Sequence, residues 1–509
     1  MKKLKLVLVT GRAACRLIEE IAEKLERELG VEARVLCLPI PVAAMMTTEY
    51  LERELPKHAE VLAGADVVMI PGYTKGDASG LSSALGLRVV KGPKHAGDIL
   101  LAVKALLSGA ELSPTQPADE LLLEHRAAIE REVLEKARAR AAAERHFNIR
   151  EAPVSPHYPL VIFELYLLGR GEVLPAHWRR AAESADLVSI GVGEGVDAST
   201  VLEFIEALRR EVSKPLGLDA ADPSLVVELA GAVDFITSFP AGNVDWLVKH
   251  GGVLRDKPVV LTASQGKCEE RVEELLGALE KARKHGFSKL VLDPVLSPPL
   301  QGLAESMRAY LELKKASPAP VLMGVGNVTE LSDVDSHGLN ALLAFIGVEV
   351  GIELYLTTEA SAKTRGCVRE LRRALDMAVV ARELKKPPKD TAIELLLLKS
   401  KKLYTPELPR APLVVKAVEK HSWAPDPRGY FKIAVDYVNG EIVVQHYEYG
   451  AEAPTVEIRG ENPYAILKAI VERGLASRAD HFFYLGYELA KAEAALKLGR
   501  NYEQDRDLF

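Results

Sequence analysis

Residues 288–333 read SKLVLDPVLSPPLQGLAESMRAYLELKKASPAPVLMGVGNVTELSD. Two short apolar runs, Leu290–Leu292 and Val321–Met323, flank a stretch of helical periodicity. Each run ends in polar residues, Asp293-Pro294 after the first and Gly326-Asn327 after the second. Short apolar runs alternating with helices are the pattern of βαβ units in a parallel sheet. In a (β/α) barrel, side chains just past the strand C-termini turn into the active site. Asp293 and Asn327 are therefore expected to face one pocket. A carboxylate beside an amide suits a ligand that offers N–H donors next to a ring nitrogen or carbonyl.

The same alternation extends in both directions, from about Leu160 to Glu383. Strands are predicted at Leu160–Leu165, Asp186–Gly191, Pro215–Leu218, Val233–Thr237, Pro258–Thr262, Lys289–Leu292, Pro320–Gly324 and Ile352–Thr357. Eight such units favour a closed TIM barrel over an open sheet. Of the eight, Leu160–Leu168 reads as a strand or as the opening of a helix. The strand ends run SIGVGEG, GLDAAD, ITSFPAGN, LTASQGK, LDPVLSPP, GVGNVTE and LTTEASAKTRG. They place Glu194, Asp219, Ser238, Asn243, Gln265, Lys267, Asp293, Asn327, Glu359, Lys363 and Arg365 around one rim. A single Asp after a strand commonly caps the next helix; two of them with an Asn and a Ser around one mouth point to binding. The rim carries no His pair or Cys cluster, so no metal site is expected there.

The chain has 509 residues, enough for several domains. The expected architecture is α/β: a central (β/α)8 TIM barrel over 159–385, an N-terminal flavodoxin- or Rossmann-like α/β domain over 1–112, and a small C-terminal α+β domain over 413–509. A connecting helix at 113–158 and a linker at 386–412 join them. In the first domain Leu4–Thr10, Val31–Leu38 and Asp66–Ile70 read as strands. Thr47 or Thr48 caps a helix through about Leu62, and another helix covers Ala96–Leu107. The loops Thr10–Arg12, Gly72–Asp77 and Lys91–Asp98 lie where open parallel sheets bind ligands, without a nucleotide-binding glycine pattern. Ala118–Arg145 reads as one charge-laced connecting helix, and Thr391–Lys401 as a helical segment in the linker. Near the C-terminus, Tyr430–Tyr437 and Glu441–Tyr447 alternate around Asn439-Gly440, a hairpin signal. Asn462-Pro463 opens a helix to about Glu472.

A net charge of −7, with 48% hydrophobic and 27% charged residues, is ordinary for a soluble globular protein and argues against a nucleic-acid binder. The opening MKKLKLVLVTGRAACR reads as a buried strand and not as a signal peptide, because Arg12 and Arg16 follow a very short apolar run. No run is long enough to span a bilayer. The four cysteines, Cys15, Cys37, Cys268 and Cys367, form no CxxC pair, which fits a cytoplasmic protein without disulfides or a zinc ribbon.

The strand ends GLDAAD, LDPVLSPP and GVGNV resemble those of the pterin-binding barrels, the group of dihydropteroate synthase and the methyltetrahydrofolate:corrinoid methyltransferases. In full order the chain resembles the archaeal dihydropteroate-synthase-related proteins. The resemblance implies a reduced pterin, of the tetrahydromethanopterin or tetrahydrofolate kind, held by Asp219, Asp293 and Asn327. Ser238 stands where the group usually has Asn. It implies that Asp293 accepts two N–H bonds from the aminopyrimidine edge. Glu194, Asn243, Gln265, Lys267, Glu359, Lys363 and Arg365 remain for a second substrate or a phosphate. Two transferase chemistries compete. Condensation of a hydroxymethyl-dihydropterin diphosphate with an arylamine needs Mg²⁺ and cations for the leaving group. Methyl transfer from N5-methyl-tetrahydropterin needs a proton donor and a corrinoid or thiol acceptor. A third reading is a non-catalytic pterin carrier. The synthase loops depart here: YLLGRGEVLP follows the first strand, GEGVDAST the second, and GNVTE and TTEASAKTRG the last two. The C-terminal stretch resembles the corrinoid-carrying polypeptide of archaeal tetrahydromethanopterin S-methyltransferase, which nominates His446 and His481 as cobalt ligands and a corrinoid protein as partner. Barrels of this group are often homodimers.

Overall fold

The first apolar run, KLVLVTG, is buried along almost its whole length and becomes the central strand of a parallel sheet. The computed structural model describes residues 3–167, 176–400, 412–417 and 424–509. Strands β1 (Lys5–Gly11), β2 (Glu32–Leu38), β3 (Val67–Ile70) and β4 (Arg88–Lys91) lie in the order β2-β1-β3-β4. The sequence predicts the first three; RVVK of β4 is too short to stand out. Thr47 accepts a hydrogen bond from Tyr50 N (3.2 Å) and caps the helix Thr48–Glu54. That helix does not run on to Leu62 as expected. It tightens into a 3₁₀ turn at Leu55–His58, where Pro56 lacks an amide donor.

The absence of disulfides expected from the sequence is corrected. Cys15 and Cys37 are bonded, with Cα atoms 5.7 Å apart. They are 22 residues apart in sequence, and only the crossover from β1 through the helix Cys15–Leu29 to β2 brings them together. Cys268 and Cys367 are buried free thiols. No helix among the described residues is long and apolar enough to cross a membrane.

The connecting segment is a short turn of helix, Ala118–Leu121, followed by the helix Leu123–Ala143. A small hairpin, β5 (Phe147–Ile149) and β6 (Ala152–Val154), follows where the sequence shows only prolines. Eight parallel strands then form the barrel: β7 (Leu160–Leu167), β8 (Leu187–Val192), β9 (Leu216–Ala220), β10 (Phe235–Pro240), β11 (Val259–Thr262), β12 (Leu290–Asp293), β13 (Leu322–Gly324) and β14 (Leu354–Thr358). The bridge between Leu292 and Val321 closes it. The ambiguous Leu160–Leu168 segment is thus a strand. Its period-2 pattern decides which side chains enter the barrel. Leu160 and Ile162 join Leu187, Phe235, Val260, Val291, Leu322 and Leu354 in an apolar floor, sealed from below by Ile149 and Val154 of the hairpin. The alternate residues Val161, Phe163 and Leu165 pack outward against the helices.

Residues 391–400 are irregular, which corrects the helix expected over Thr391–Lys401; Lys401 lies outside the described residues. The amide of Ala392 donates to the Glu130 carboxylate (2.9 Å), so this segment is tied to the connecting helix. The C-terminal unit is an antiparallel sheet, β15 (Tyr430–Asp436), β16 (Glu441–Tyr447) and β17 (Val456–Gly460), covered by the helices Pro463–Glu472 and Ala479–Leu498. Asn462 caps the first of these through Ala465 N (3.0 Å).

The N-terminal unit is fastened to the barrel by buried charge. Asp98 accepts from Lys386 Nζ at 2.8 Å and from Arg126 Nη2 at 3.2 Å, and all three side chains are at most 3% exposed. Removing one partner of such a cluster strands the others in a low-dielectric site. Asp98→Ala is expected to destabilise by about 3–5 kcal/mol, seen as a clear drop in the thermal midpoint. An unchanged midpoint would mean that the cluster carries no stability.

Candidate functional site

Above the apolar floor the inward row turns polar. On β7 the residues that continue Leu160 and Ile162 are Glu164 and Tyr166. On β9 and β12 they are Asp219 and Asp293. On β8 and β10, Ser189 Oγ and Thr237 Oγ1 share a hydrogen bond. Inward glycines make room for this layer. A Cβ on Gly191 would sit 2.8 Å from the Tyr166 ring, and one on Gly217 would sit 2.4 Å from the Phe235 ring.

Asp293 is buried and its Oδ1 is already committed. It accepts from Val295 N (2.8 Å) and from Tyr310 O–H (2.9 Å). Among the described residues Oδ2 has no partner, so one oxygen rather than two is free for a ligand. Burial raises the Asp293 carboxyl to about 6, against the opposing pull of these two donors and of Arg271. The loop after Asp293 is held in a costly shape, with Val295 at φ 60°, a rare conformation for a β-branched residue. Arg271 holds it there. Its guanidinium is buried and donates to the carbonyls of Pro294 (2.7 Å) and Val295 (2.5 Å) and to Ser297 Oγ (2.8 Å). Asn327 completes the clamp, donating from Nδ2 to Leu296 O (2.8 Å). Its amide oxygen has no partner among the described residues, and it is an exposed rim residue rather than a buried partner of Asp293.

Asp219 accepts from Ser238 Oγ, so the two residues named from strands 3 and 4 do meet. The group missed in the sequence is Glu164. It is 8% exposed, accepts from Tyr166 O–H (3.2 Å), and is pushed well above the carboxylate range by burial and then by the neighbouring Asp219 charge. Burial also raises Glu330, at the end of the β13 loop. A charged residue in the middle of LVIFELYL, in step with Leu160 and Ile162, was the available signal. It is readable only once that segment is known to be a strand.

The remaining rim residues spread out. Glu359 is buried and accepts from Val368 N (3.2 Å), fixing the start of the helix Cys367–Glu383. Lys363 pairs with exposed Asp333 at 2.8 Å. Arg365 donates to Tyr437 O of the C-terminal unit (2.7 Å) and lies 3.2 Å from His177 Nδ1. Burial, Arg365 and Arg180 lower that histidine to about 4. Asn243, Gln265 and Lys267 are exposed. Glu194 lines a separate cavity of about 560 Å³ between the loops after β8 and β9, with Asp197, Asp222 and Glu228. Most of the loop YLLGRGEVLP lies outside the described residues. No three carboxylates of the mouth converge on one point among the described residues, so they do not fit a dedicated Mg²⁺ cage. His446 uses both ring nitrogens, toward Thr455 Oγ1 (2.7 Å) and Arg428 O (2.9 Å), and His481 Nδ1 holds Asp426 (3.1 Å). His446 therefore has no nitrogen left for the cobalt-ligand role the sequence suggested, whereas His481 engages only Nδ1, and Nε2 has no partner among the described residues.

Against known proteins, the whole chain matches one archaeal sequence. The uncharacterized protein MJ0107 of Methanocaldococcus jannaschii is 31% identical over 99% of both chains. The chain belongs to that protein's family. Residues 425–505 match the family model PterinBD-DUF4346, and residues 4–94 match a family of unknown function, DUF6513. Among solved structures, a Yersinia pestis DHPS with a pterine-sulfa conjugate is 19% identical at a TM-score of 0.36, covering 47% of this chain and 99% of its own. A Xanthomonas albilineans dihydropteroate synthase in complex with 7,8-dihydropteroate is 21% identical at 0.32, covering 42% and 92%.

Because the native state raises the Asp293 pKa to about 6 from an unfolded value of 3.8, it binds more protons than the unfolded chain between those values. The Asp293 contribution to stability is then present at low pH and lost as pH rises through about 6. Asp293→Asn removes this dependence. The stability of the variant relative to the parent should rise from pH 4 to pH 6 by no more than about 1.4 kcal/mol per unit, measured by denaturant unfolding. A difference independent of pH would place Asp293 in a solvated site.

Proposed function

We propose that this protein binds a reduced pterin in the barrel mouth and transfers a methyl group from N5 of a methylated tetrahydropterin. The charge of the mouth carries the reading. Glu164, Asp219, Asp293 and Glu330 come together at the barrel's open end. Two of the cations named for a leaving diphosphate already have partners, Lys363 with Asp333 at the rim and Arg365 with the C-terminal unit. A diphosphate would add negative charge to a partly dehydrated acidic site, where like charges repel strongly. Condensation instead asks for cations at the leaving group. A methylated tetrahydropterin ring brings no phosphate.

When the methyl group leaves N5 for a nucleophile, the C–N bonding pair stays on nitrogen. A proton must arrive to make the leaving amine neutral. Glu164, held protonated by burial and by Asp219, stores such a proton in the same mouth. Asp293 Oδ2 accepts an N–H from the aminopyrimidine edge, and the amide oxygen of Asn327 faces the ligand from the rim. The methyl acceptor is a thiol or a corrinoid on a partner protein. The resemblance of the strand ends and the name of the matching C-terminal family model support a pterin as the ligand.

Calorimetric titration tests the reading with three ligands: a methyl-tetrahydropterin, a hydroxymethyl-dihydropterin, and its diphosphate with Mg²⁺. The methylated pterin should bind tightest and the diphosphate weakest. Asp293→Asn should weaken the methylated pterin about a hundredfold, on the order of the 3 kcal/mol for a charge-assisted bond. Tightest binding of the diphosphate would replace methyl transfer by condensation. Failure of all three to bind would remove pterin from the site.

A further inference from the structure

The N-terminal unit carries a cluster that the barrel chemistry does not use. Cys15 opens the helix Cys15–Leu29, Cys37 lies near the end of β2, and Glu19 stands one helical turn after Cys15. The two sulfurs and a Glu19 carboxylate oxygen lie within 4.8 Å of one another, and Glu19 Oε1 is 3.4 Å from Cys15 Sγ. It is the one group of three such donors that meets among the described residues. Both cysteines are half-buried and Glu19 is exposed, so solvent reaches the cluster. Glu19 makes no ion pair among the described residues, whereas its neighbour Glu20 pairs with Arg16 at 3.7 Å. The cluster sits beside the loop after β1, on the edge where parallel sheets bind ligands.

We infer that Cys15, Cys37 and Glu19 form a redox-gated site for one thiophilic divalent cation such as Zn²⁺. In the bonded form the sulfurs hold no lone thiolate and the site is closed. A dithiol reductant supplies two electrons and two protons, the S–S bond breaks, and two thiols result. Binding of the cation displaces both thiol protons and leaves two thiolates and one carboxylate around it. The helix N-terminus behind Cys15 favours the thiolate. Two sulfurs and one oxygen are a soft donor set that selects Zn²⁺-like ions over Mg²⁺ or Ca²⁺. Three protein donors leave a fourth position open toward solvent, the pattern of sites that take a further ligand and not of closed structural ones.

Co²⁺ is the probe, added to the full-length protein under anaerobic conditions before and after reduction by a phosphine. The reduced protein should bind one equivalent with a sulfur-to-cobalt charge-transfer band, and the oxidised protein none. Cys37→Ser should abolish the band. Glu19→Gln should keep it and weaken binding at least about tenfold, the scale on which even outer-shell partners act. Cys268 and Cys367 are buried in the barrel and serve as internal controls, since they stay in the Cys37→Ser variant. No charge-transfer band after reduction, a band of equal strength without reduction, or a band that survives Cys37→Ser would each overturn the inference. Circular dichroism of the variants separates loss of the site from loss of the fold. Pterin titration is a separate measurement on the barrel, so either proposal can fail alone.

Discussion

A closed barrel gives each strand one row of side chains aimed at its axis, and no solvent enters from below. Here the lower part of seven rows is apolar, with Gly217 making room in the eighth and Ile149 and Val154 of a hairpin as the seal. The upper part carries carboxyls. Whatever polar group sits just above the floor must be desolvated on one side and open on the other. That constraint raises Asp293 and Glu164 without any special device. It also explains the donors around them. Tyr310, Val295 N and Arg271 steady the charged form of Asp293, while Glu164 has a hydroxyl and another carboxyl as neighbours and keeps its proton.

Much of this was legible in the chain. Short apolar runs ending in Asp, Asn or Ser at regular intervals predict the barrel and its rim, and Asp219 and Ser238 meet as neighbouring strand ends do. What was not legible depends on tertiary contact. Glu164 was hidden because LVIFELYL is apolar enough to be a helix or a strand, and only pairing with β8 and β14 decides. The grip of Arg271 on the LDPVLS loop joins residues more than twenty positions apart. The Cys15–Cys37 bond depends on a crossover whose geometry no spacing encodes. Rim position also says nothing of side-chain direction: Glu359 points back to cap a helix, Lys363 pairs with Asp333, and Arg365 reaches a carbonyl of the C-terminal unit.

The flanking units attach at opposite ends of the barrel. Lys386 follows the last barrel helix, and helices of a (β/α) barrel end at the face opposite the active site. Asp98, Arg126 and Lys386 therefore join the N-terminal unit to the closed end. Arg365 belongs to the loop after β14, at the open end, and it holds the carbonyl of Tyr437 in the turn of the β15–β16 hairpin. The C-terminal unit thus stands beside the mouth, and the N-terminal unit does not.

This placement separates two chemistries within one chain. The contact of the C-terminal hairpin with the barrel uses Arg365, a cation of the loop after β14. Recruiting Arg365 to an anionic leaving group would cost its bond to Tyr437 O, and the anion would be desolvated beside the carboxyls of the mouth. A neutral methylated ring meets neither cost. The cysteine cluster lies on the ligand edge of the other sheet. Its ligand is then chosen by sulfur and by oxidation state, while the ligand of the barrel is chosen by hydrogen-bond donors and by charge.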